Sequence, residues 1–342
     1  MKTYLTLLFV VCQTVFALAQ DEKTPYMTKS LANDAISSVV VKTSAGGITV
    51  SGKSGEQPRI EVYIKDNRGR ELSRDEIKQR LDEDYDMSID VSNHELQAIV
   101  KNKHQMHWSQ SLQISFRIYV PEQVSTDLHT SGGGIVLDHL KGKENFGTSG
   151  GGLLVDNIQG SIDGSTSGGG IQVTNSGDDI SLTTSGGGII AKNCTGNIRL
   201  RTSGGGLILE NLKGTIDAHT SGGGVEANHI EGELTTGSSG GGLDLKDMNC
   251  SLDASTSAGS VYAEMKQVGK YLKLNTSAGN IDLQLPAKQG LDLNLRGDRV
   301  DETQFSDFKG QFDKDYVHGT VNGGGAPVDA SASSGHINVR FN

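Results

Sequence analysis

Several short motifs in this sequence belong to known chemistries. Gly47 to Ser54 spells G-x-x-x-x-G-K-S, the pattern of a loop whose backbone N–H groups cradle phosphate between a strand and a helix. Apolar Ile48 and Val50 alternate inside it, however, and Gly55 and Pro58 stand where the helix should start. A strand and a turn are expected there instead. Gly147-Thr148-Ser149-Gly150-Gly151 and Gly237-Ser238-Ser239-Gly240-Gly241 both satisfy G-x-S-x-G, the elbow that presents a nucleophilic serine ahead of a helix. No helical pattern follows either one, and a Gly/Ser-rich repeat generates such matches by composition. Arg296-Gly297-Asp298 spells an integrin-binding tripeptide. It follows Leu291, Leu293 and Leu295 just as Ser277-Ala278-Gly279 follows Leu272 and Leu274, which marks it as a glycine turn.

The elements behind these motifs come from a repeat. Thr-Ser-Gly-Gly-Gly and close variants recur with serines at Ser131, Ser149, Ser167, Ser185, Ser203, Ser221, Ser239 and Ser257, 18 residues apart each time. A fixed period of this length means one unit stacked on copies of itself. Counted from the serine, apolar residues stand at offsets four and six (Ile135 and Leu137, Leu153 and Val155), nine (Leu140, Ile158) and thirteen (Ile162, Ile180, Ile198). Spacing by two places alternate side chains of a strand on one interior. Each coil is therefore read as two short strands joined by a corner and by the glycine turn. The predicted fold is all-β: a parallel β-solenoid, or single-stranded β-helix, with 18-residue coils.

Two other solenoids with 18-residue turns are excluded. A hexapeptide helix needs an apolar residue every six positions. A calcium-binding nonapeptide roll needs glycine where Ile135, Leu153 and Ile171 stand, and carboxylates where Thr174 and Lys192 stand.

Once the coils are set, candidate residues fall into rows. Asp138 and Asp156 share a phase on adjacent coils, about 5 Å apart, and could serve a polysaccharide lyase or hydrolase, whose sites need converging carboxylates. The row then turns to Thr174 and Lys192. His129 shares a phase with His219, and His139 with His229, but each pair is five coils apart, about 24 Å, too far for one metal. His104, His107 and Trp108 read as a polar surface turn. Thr130, Thr148, Thr166, Thr184, Thr202 and Thr220 form a ladder that could recognise an ordered surface such as ice, provided that it faces solvent; the alternation places it inside. At offset five, where side chains point outward, Val136, Leu154, Ile190 and Ile208 are apolar. They form the one candidate interaction surface, which Ile77, Leu81 and Tyr85 of an inserted segment are expected to cover. No catalytic, cofactor-binding or metal-binding residue is assigned.

Residues 1–19 read as a signal peptide: Lys2, an apolar run from Leu5, and Ala17-Leu18-Ala19 before Gln20. Residues 20–35 read as a flexible segment. The solenoid starts over 36–126, where Thr43-Ser44-Ala45-Gly46-Gly47 is already a repeat phrase; an insertion there carries a capping box, Ser73 with Glu76, before a helical face of Ile77, Leu81 and Tyr85. Regular coils run over 127–295 and irregular coils and a cap over 296–342. No later segment is a membrane span. The net charge of −10 argues against nucleic acid as a partner. Cys194 and Cys250 lie three coils apart, too far for a disulfide, and read as small core residues.

The secretory start, the Thr-Ser-Gly-Gly-Gly-Ile coils, the strand ending Ile118-Tyr119-Val120-Pro121 and the closing Ser-Ser-Gly-His-Ile-Asn-Val resemble a bacterial adhesin-like family of β-strand-repeat domains, first catalogued as a domain of unknown function. The resemblance covers roughly residues 36–341. It implies a non-enzymatic, exported scaffold, periplasmic, surface-bound or extracellular, with polysaccharide or an envelope or surface protein as partner. The alternatives are a polysaccharide-acting enzyme and an ordered-surface binder.

Overall fold

A computed structural model describes residues 24–68, 70–105, 107, 110–302 and 307–341. The expected signal peptide, residues 1–19, and Trp108 lie outside them. The described residues are 64% strand with one short helix and form a parallel β-solenoid of about nine turns with coils of about 18 residues. The expected fold class is the observed one. Stacked coils pair one to one: Leu153, Val155, Ile158 and Ile162 lie over Ile135, Leu137, Leu140 and Glu144. Offsets four, six, nine, thirteen and fifteen all point into a single continuous core.

Each coil bends at three places. The first is the glycine turn. The second is offset eight, where His139, Asn157, Asn175, Asn193, Asn211 and His229 adopt φ of 52–57°, a conformation that a short polar side chain tolerates best after glycine. The third is offset eleven, where Gly160, Gly196, Gly214 and Gly232 have φ of 107–130°. These bends divide the coil into a short face, offsets four to seven, and a long face, offsets twelve to seventeen.

The middle glycine of each turn is fixed by stacking. Positive φ would also account for an intolerance of Gly187→Val, yet Gly187 has none; a Cβ there would lie 2.3 Å from the Gly169 carbonyl oxygen. The same contact is 2.0 Å at Gly151 and Gly169 and 2.3 Å at Gly241. The first glycine has more room, 3.5 Å at Gly150 and 3.4 Å at Gly168, and Ala45, Ala258 and Ala278 replace it in other coils. Beneath each turn the ladder threonine is buried. Thr148 Oγ1 donates to the Gly133 carbonyl of the coil before at 2.7 Å and accepts from Gly151 N at 3.3 Å; Thr202 does the same with Gly187 and Gly205. Facing the interior, this row rivets one turn to the next and presents nothing to an external lattice.

Both ends are threaded out of order. On the long face Ser38–Thr43 lies between Glu95–Asn102 and Ser125–Thr130. On the short face Ile48–Ser51 lies between Leu112–Tyr119 and the strand from Ile135. At the other end Ala326–Ala332 is wedged between Val261–Thr276 and Leu291–Arg296, and His336–Phe341 between Ile281–Leu285 and Arg299–Glu302. Antiparallel strands close three of the four sheet edges: Met27–Ser30, Tyr85–Ser92 and Lys309–Phe312. The short, charged strand Arg299–Glu302 closes the fourth, a common way to stop further strand addition.

The helix Arg74–Asp84 belongs to this end structure. Its capping box forms as expected: Glu76 N donates to Ser73 Oγ at 3.2 Å, and Ser73 N donates to Glu76 Oε2 at 3.0 Å. Ile77 and Leu81 are buried, and the helix packs on Tyr85–Ser92 at the N-terminal edge. The Tyr85 hydroxyl accepts from Leu112 N at 2.7 Å. These residues close the end of the stack, so the expected cover over the apolar row of the short face is not theirs to give.

Candidate functional site

Two outer faces and one corner are available. On the short face, pairing brings Thr49, Val136, Leu154, Gln172, Ile190, Ile208 and Glu226 into one row. Val136, Leu154, Ile190 and Ile208 are each half-buried, because neighbours one coil apart cover each other's flanks. They form a narrow ridge, interrupted by Gln172, that gives way to Glu226, Asp244 and Tyr262. The adjacent carboxylates Asp138 and Asp156 of this face have other partners. Asp138 accepts from Ser51 Oγ at 3.2 Å, lies 3.2 Å from Lys53 Nζ and contacts His139 Nδ1. Asp156 accepts from Thr174 Oγ1 at 2.6 Å and Asn175 Nδ2 at 2.8 Å.

The corner at offset eight carries a ladder that was missed as a feature of the sequence. Asn211 Nδ2 donates to Asn193 Oδ1 at 2.8 Å, Asn193 Nδ2 to Asn175 Oδ1 at 3.2 Å, and Asn175 Nδ2 to Asp156. His229 Nδ1 meets Asp247 Oδ2 at 2.8 Å, and this hydrogen bond raises the imidazole pKa. The recurrence of Asn, Asp or His at one offset was the available signal. A shallow hollow of about 270 Å³ opens beside the ladder between Asn193, Asn211, Lys213 and His229. A second, about 220 Å³, lies between Tyr262, Asp282, Asn338 and Arg340.

The long face is wider; the outer side of its regular coils is polar, and Val40 and Ile99 join it at the N-terminal end. Offsets fourteen and sixteen point outward here and stack into two columns. In one, Asp127, Asn145 and Asp163 succeed each other, and five coils on so do Asp217, Thr235 and Asp253. In the other, His129, Gly147 and Ser165 are matched by His219, Gly237 and Ser255. His129 Nε2 lies 3.0 Å from Asp127 Oδ1, which also accepts from Asn145 Nδ2 at 2.8 Å. His219 Nε2 lies 3.0 Å from Asp217 Oδ1, while Asp217 Oδ2 pairs with Arg201. Burial alone would raise the Asp217 carboxyl, but the hydrogen bond and charge of Arg201 outweigh it and hold the pKa below the usual range. Burial and the charge of Arg201 lower the pKa of His219.

Inside the core, Glu144 stands at offset thirteen, where the next coil has Ile162. It is fully buried; Thr126 Oγ1 donates to its Oε2 at 2.5 Å, and Oε1 has no partner. Burial pushes its pKa up to about 7. Cys194 and Cys250 are buried thiols, and burial pushes Cys250 up to about 12.

The sequence motifs resolve into architecture. Ile48–Ser51 is a strand inside the phosphate-loop match, and strand and turn surround both serine-elbow matches. Gly297 stacks on Gly335, and Asp298 N donates to the Gly335 carbonyl at 2.9 Å, so the Arg-Gly-Asp triplet is a coil turn. His129 and His219, or His139 and His229, do not meet.

No curated protein matches the sequence. Among solved structures, a "putative cell adhesion protein" from Clostridium sporogenes is similar at 10% identity over 92% of this chain and 98% of that one, with a TM-score of 0.20. A "putative adhesin" from Bacteroides fragilis is similar at 11% identity over 92% and 96%, with a TM-score of 0.22. The Toastrack DUF4097 profile matches residues 36–340, nearly the whole stack of coils with both of its threaded ends, and the chain belongs to that family.

Proposed function

We propose that this protein is an adhesin-like binding scaffold, exported to the cell envelope or beyond it, that works without catalysis. The long face carries the reading. It holds columns of Asp, Asn, Ser, Thr, His and Arg side chains in register at one coil, about 4.8 Å, per step. A ligand lying along the stack meets the same kind of contact repeatedly, and many weak contacts sum to useful affinity. Asp138 and Asp156, the pair best placed for acid–base work, are engaged in fixed hydrogen bonds. The sequence of residues 1–19 supports export. No helix among the described residues is long and apolar enough to cross a membrane. The partner classes are polysaccharide and envelope or surface protein.

The test combines fractionation and surface proteolysis of producing cells with binding of the purified chain to isolated envelope polysaccharide and surface protein. Retention by either ligand, with no turnover of glycans, is the expected result. A cytoplasmic location, or depolymerisation of a glycan that is lost in Asp138→Ala plus Asp156→Ala, would overturn it.

A further inference from the structure

The long face contains one constellation twice. Asp127, His129, Gly147, Asp163 and Ser165 recur five coils later as Asp217, His219, Gly237, Asp253 and Ser255. A cation precedes each histidine in its column: Lys42 pairs with His129 and Arg201 with His219, although Lys42 reaches its place through the out-of-order threading. The outward residues around the two copies have diverged. Lys141 and Lys143 correspond to Glu231 and Glu233, Asp156 to Lys246, and Val136 to Glu226. The coil needs none of these identities, since Ser181 and Arg199 occupy the Asp163 position in coils between the copies and Thr183 and Arg201 that of Ser165.

The geometry of each copy is a notch. Asp127 and Asp217 engage Nε2 of their histidines. In the neutral imidazole that contact selects the Nε2–H tautomer, with Nδ1 as the acceptor. Nδ1 faces the space above the glycine. A Cβ on Gly147 would lie 3.6 Å from His129 Nδ1 and 3.4 Å from Ser165 Oγ; on Gly237 it would lie 3.2 Å from His219 Nδ1 and 3.1 Å from Ser255 Oγ. Any side chain at the glycine would fill the gap between imidazole and hydroxyl; glycine keeps it, partly open over the half-buried Gly147 and narrow over the buried Gly237, where a Cβ would also meet the Ser255 carbonyl oxygen at 2.8 Å. An acceptor and a hydroxyl that donates or accepts thus flank each glycine, with carboxylates in the adjoining column and a Lys or Arg beside the histidine. An anionic ligand would meet two carboxylates in each notch, and a cationic one the Lys or Arg. A neutral hydroxyl group both donates and accepts, so it satisfies the pattern.

We propose that the two notches are a paired binding site for a neutral, hydroxyl-rich polymer, a polysaccharide lying along the long face. The five-coil spacing sets them about 24 Å apart, so only an extended ligand engages both. The proposal rests on the binding-scaffold reading and gives it a ligand class.

The test immobilises dextran, xylan and mannan as neutral polymers, with polygalacturonate as the anionic and chitosan as the cationic comparison. The wild-type chain is expected to retain a neutral polymer. His129→Ala or His219→Ala alone should weaken retention roughly hundredfold through lost bivalency, and the double variant should abolish it. His129→Ala should melt like wild type, because its imidazole is exposed. His219 is half-buried against Asp217, so His219→Gln, which keeps a polar group there, is read beside His219→Ala, and retention should fall in both at temperatures where each is folded. A trisaccharide of the retained polymer, too short to bridge, should bind both single variants with the wild-type affinity per intact notch. Wild-type retention by the double variant, or a preference for polygalacturonate or chitosan, overturns the paired site. Binding to surface protein with no binding to any polysaccharide overturns it and spares the scaffold; binding to neither overturns both.

Discussion

Glu144 offers a sharp test of the interior. In the coils that follow, Ile162, Ile180, Ile198 and Ile216 hold its position, and the carboxyl is fully buried with one oxygen unpartnered. Its pKa rises from 4.5 in the unfolded chain to about 7 in the fold. Between those values the folded state keeps a proton that the unfolded state has released, so stability falls as pH rises through this window. At 1.36 kcal/mol per pH unit, the loss is about 3 kcal/mol by pH 8 and absent below pH 4.5. Glu144→Ile removes the titrating group and restores the residue that packs there elsewhere, at a cost of about 1 kcal/mol for the acceptor that Thr126 loses. Glu144→Gln keeps an acceptor and removes the charge. Long repeat arrays can melt in pieces, so the assay is hydrogen exchange at the Thr126 and Ile162 amides on the flanking coils. Between pH 5 and 8, wild type should lose protection against both variants by about two orders of magnitude after correction for intrinsic exchange. Parallel pH dependence in all three chains would mean that Glu144 is not held protonated in the core, and the reasoning would fail.

Other substitutions test the stacking rules. Gly169→Ala would press a Cβ to 2.0 Å from the Gly151 carbonyl oxygen and should cost about 1–3 kcal/mol or more, whereas Gly168→Ala should stay within about 0.5 kcal/mol; urea midpoints of the two variants decide it. Ile198→Ala should cost about 2–5 kcal/mol and Glu226→Ala, on the outward row, within about 0.5 kcal/mol, in the same assay. Thr202→Val removes the donor to the Gly187 carbonyl and should cost about 1–3 kcal/mol, read as a lower melting temperature. Cys250, with its thiol pushed up to about 12, should resist alkylation at pH 8 until the chain is unfolded; rapid labelling of native protein would place it nearer solvent than its burial indicates.

The offsets of Ile and Leu made the coil legible, because a period of two within a period of 18 leaves one inward phase. The same alternation correctly turned Thr148 and Thr202 inward. What the middle glycine does was not legible: φ and stacking distance both select glycine, and only Gly169 beside Gly187 tells them apart. The threading of the ends was also hidden. Ser38–Thr43 carries the same pattern wherever it sits, since every parallel neighbour offers an equivalent ladder. Nor could the insertion's destination be read, as Ile77 and Leu81 fit a sheet edge as well as an outer face. The paired notches were half visible in the shared phase of His129 and His219. The Gly and Ser that stand beside each histidine in space lie 18 and 36 residues away in sequence, so a motif of neighbouring residues does not contain them.

The threaded ends change how the molecule comes apart and how it is made. In an ordinary stack the outermost coil holds on by one ladder and frays first. Here residues 326–332 are hydrogen-bonded on both flanks, so pulling on that segment must shear two ladders together. The coil outside it, residues 291–302, is held through residues that follow it in the chain. It cannot take its place as the polypeptide emerges, and must wait until residues 326–341 arrive to fill the gap. A chain built this way stays open at one end until its last strands arrive.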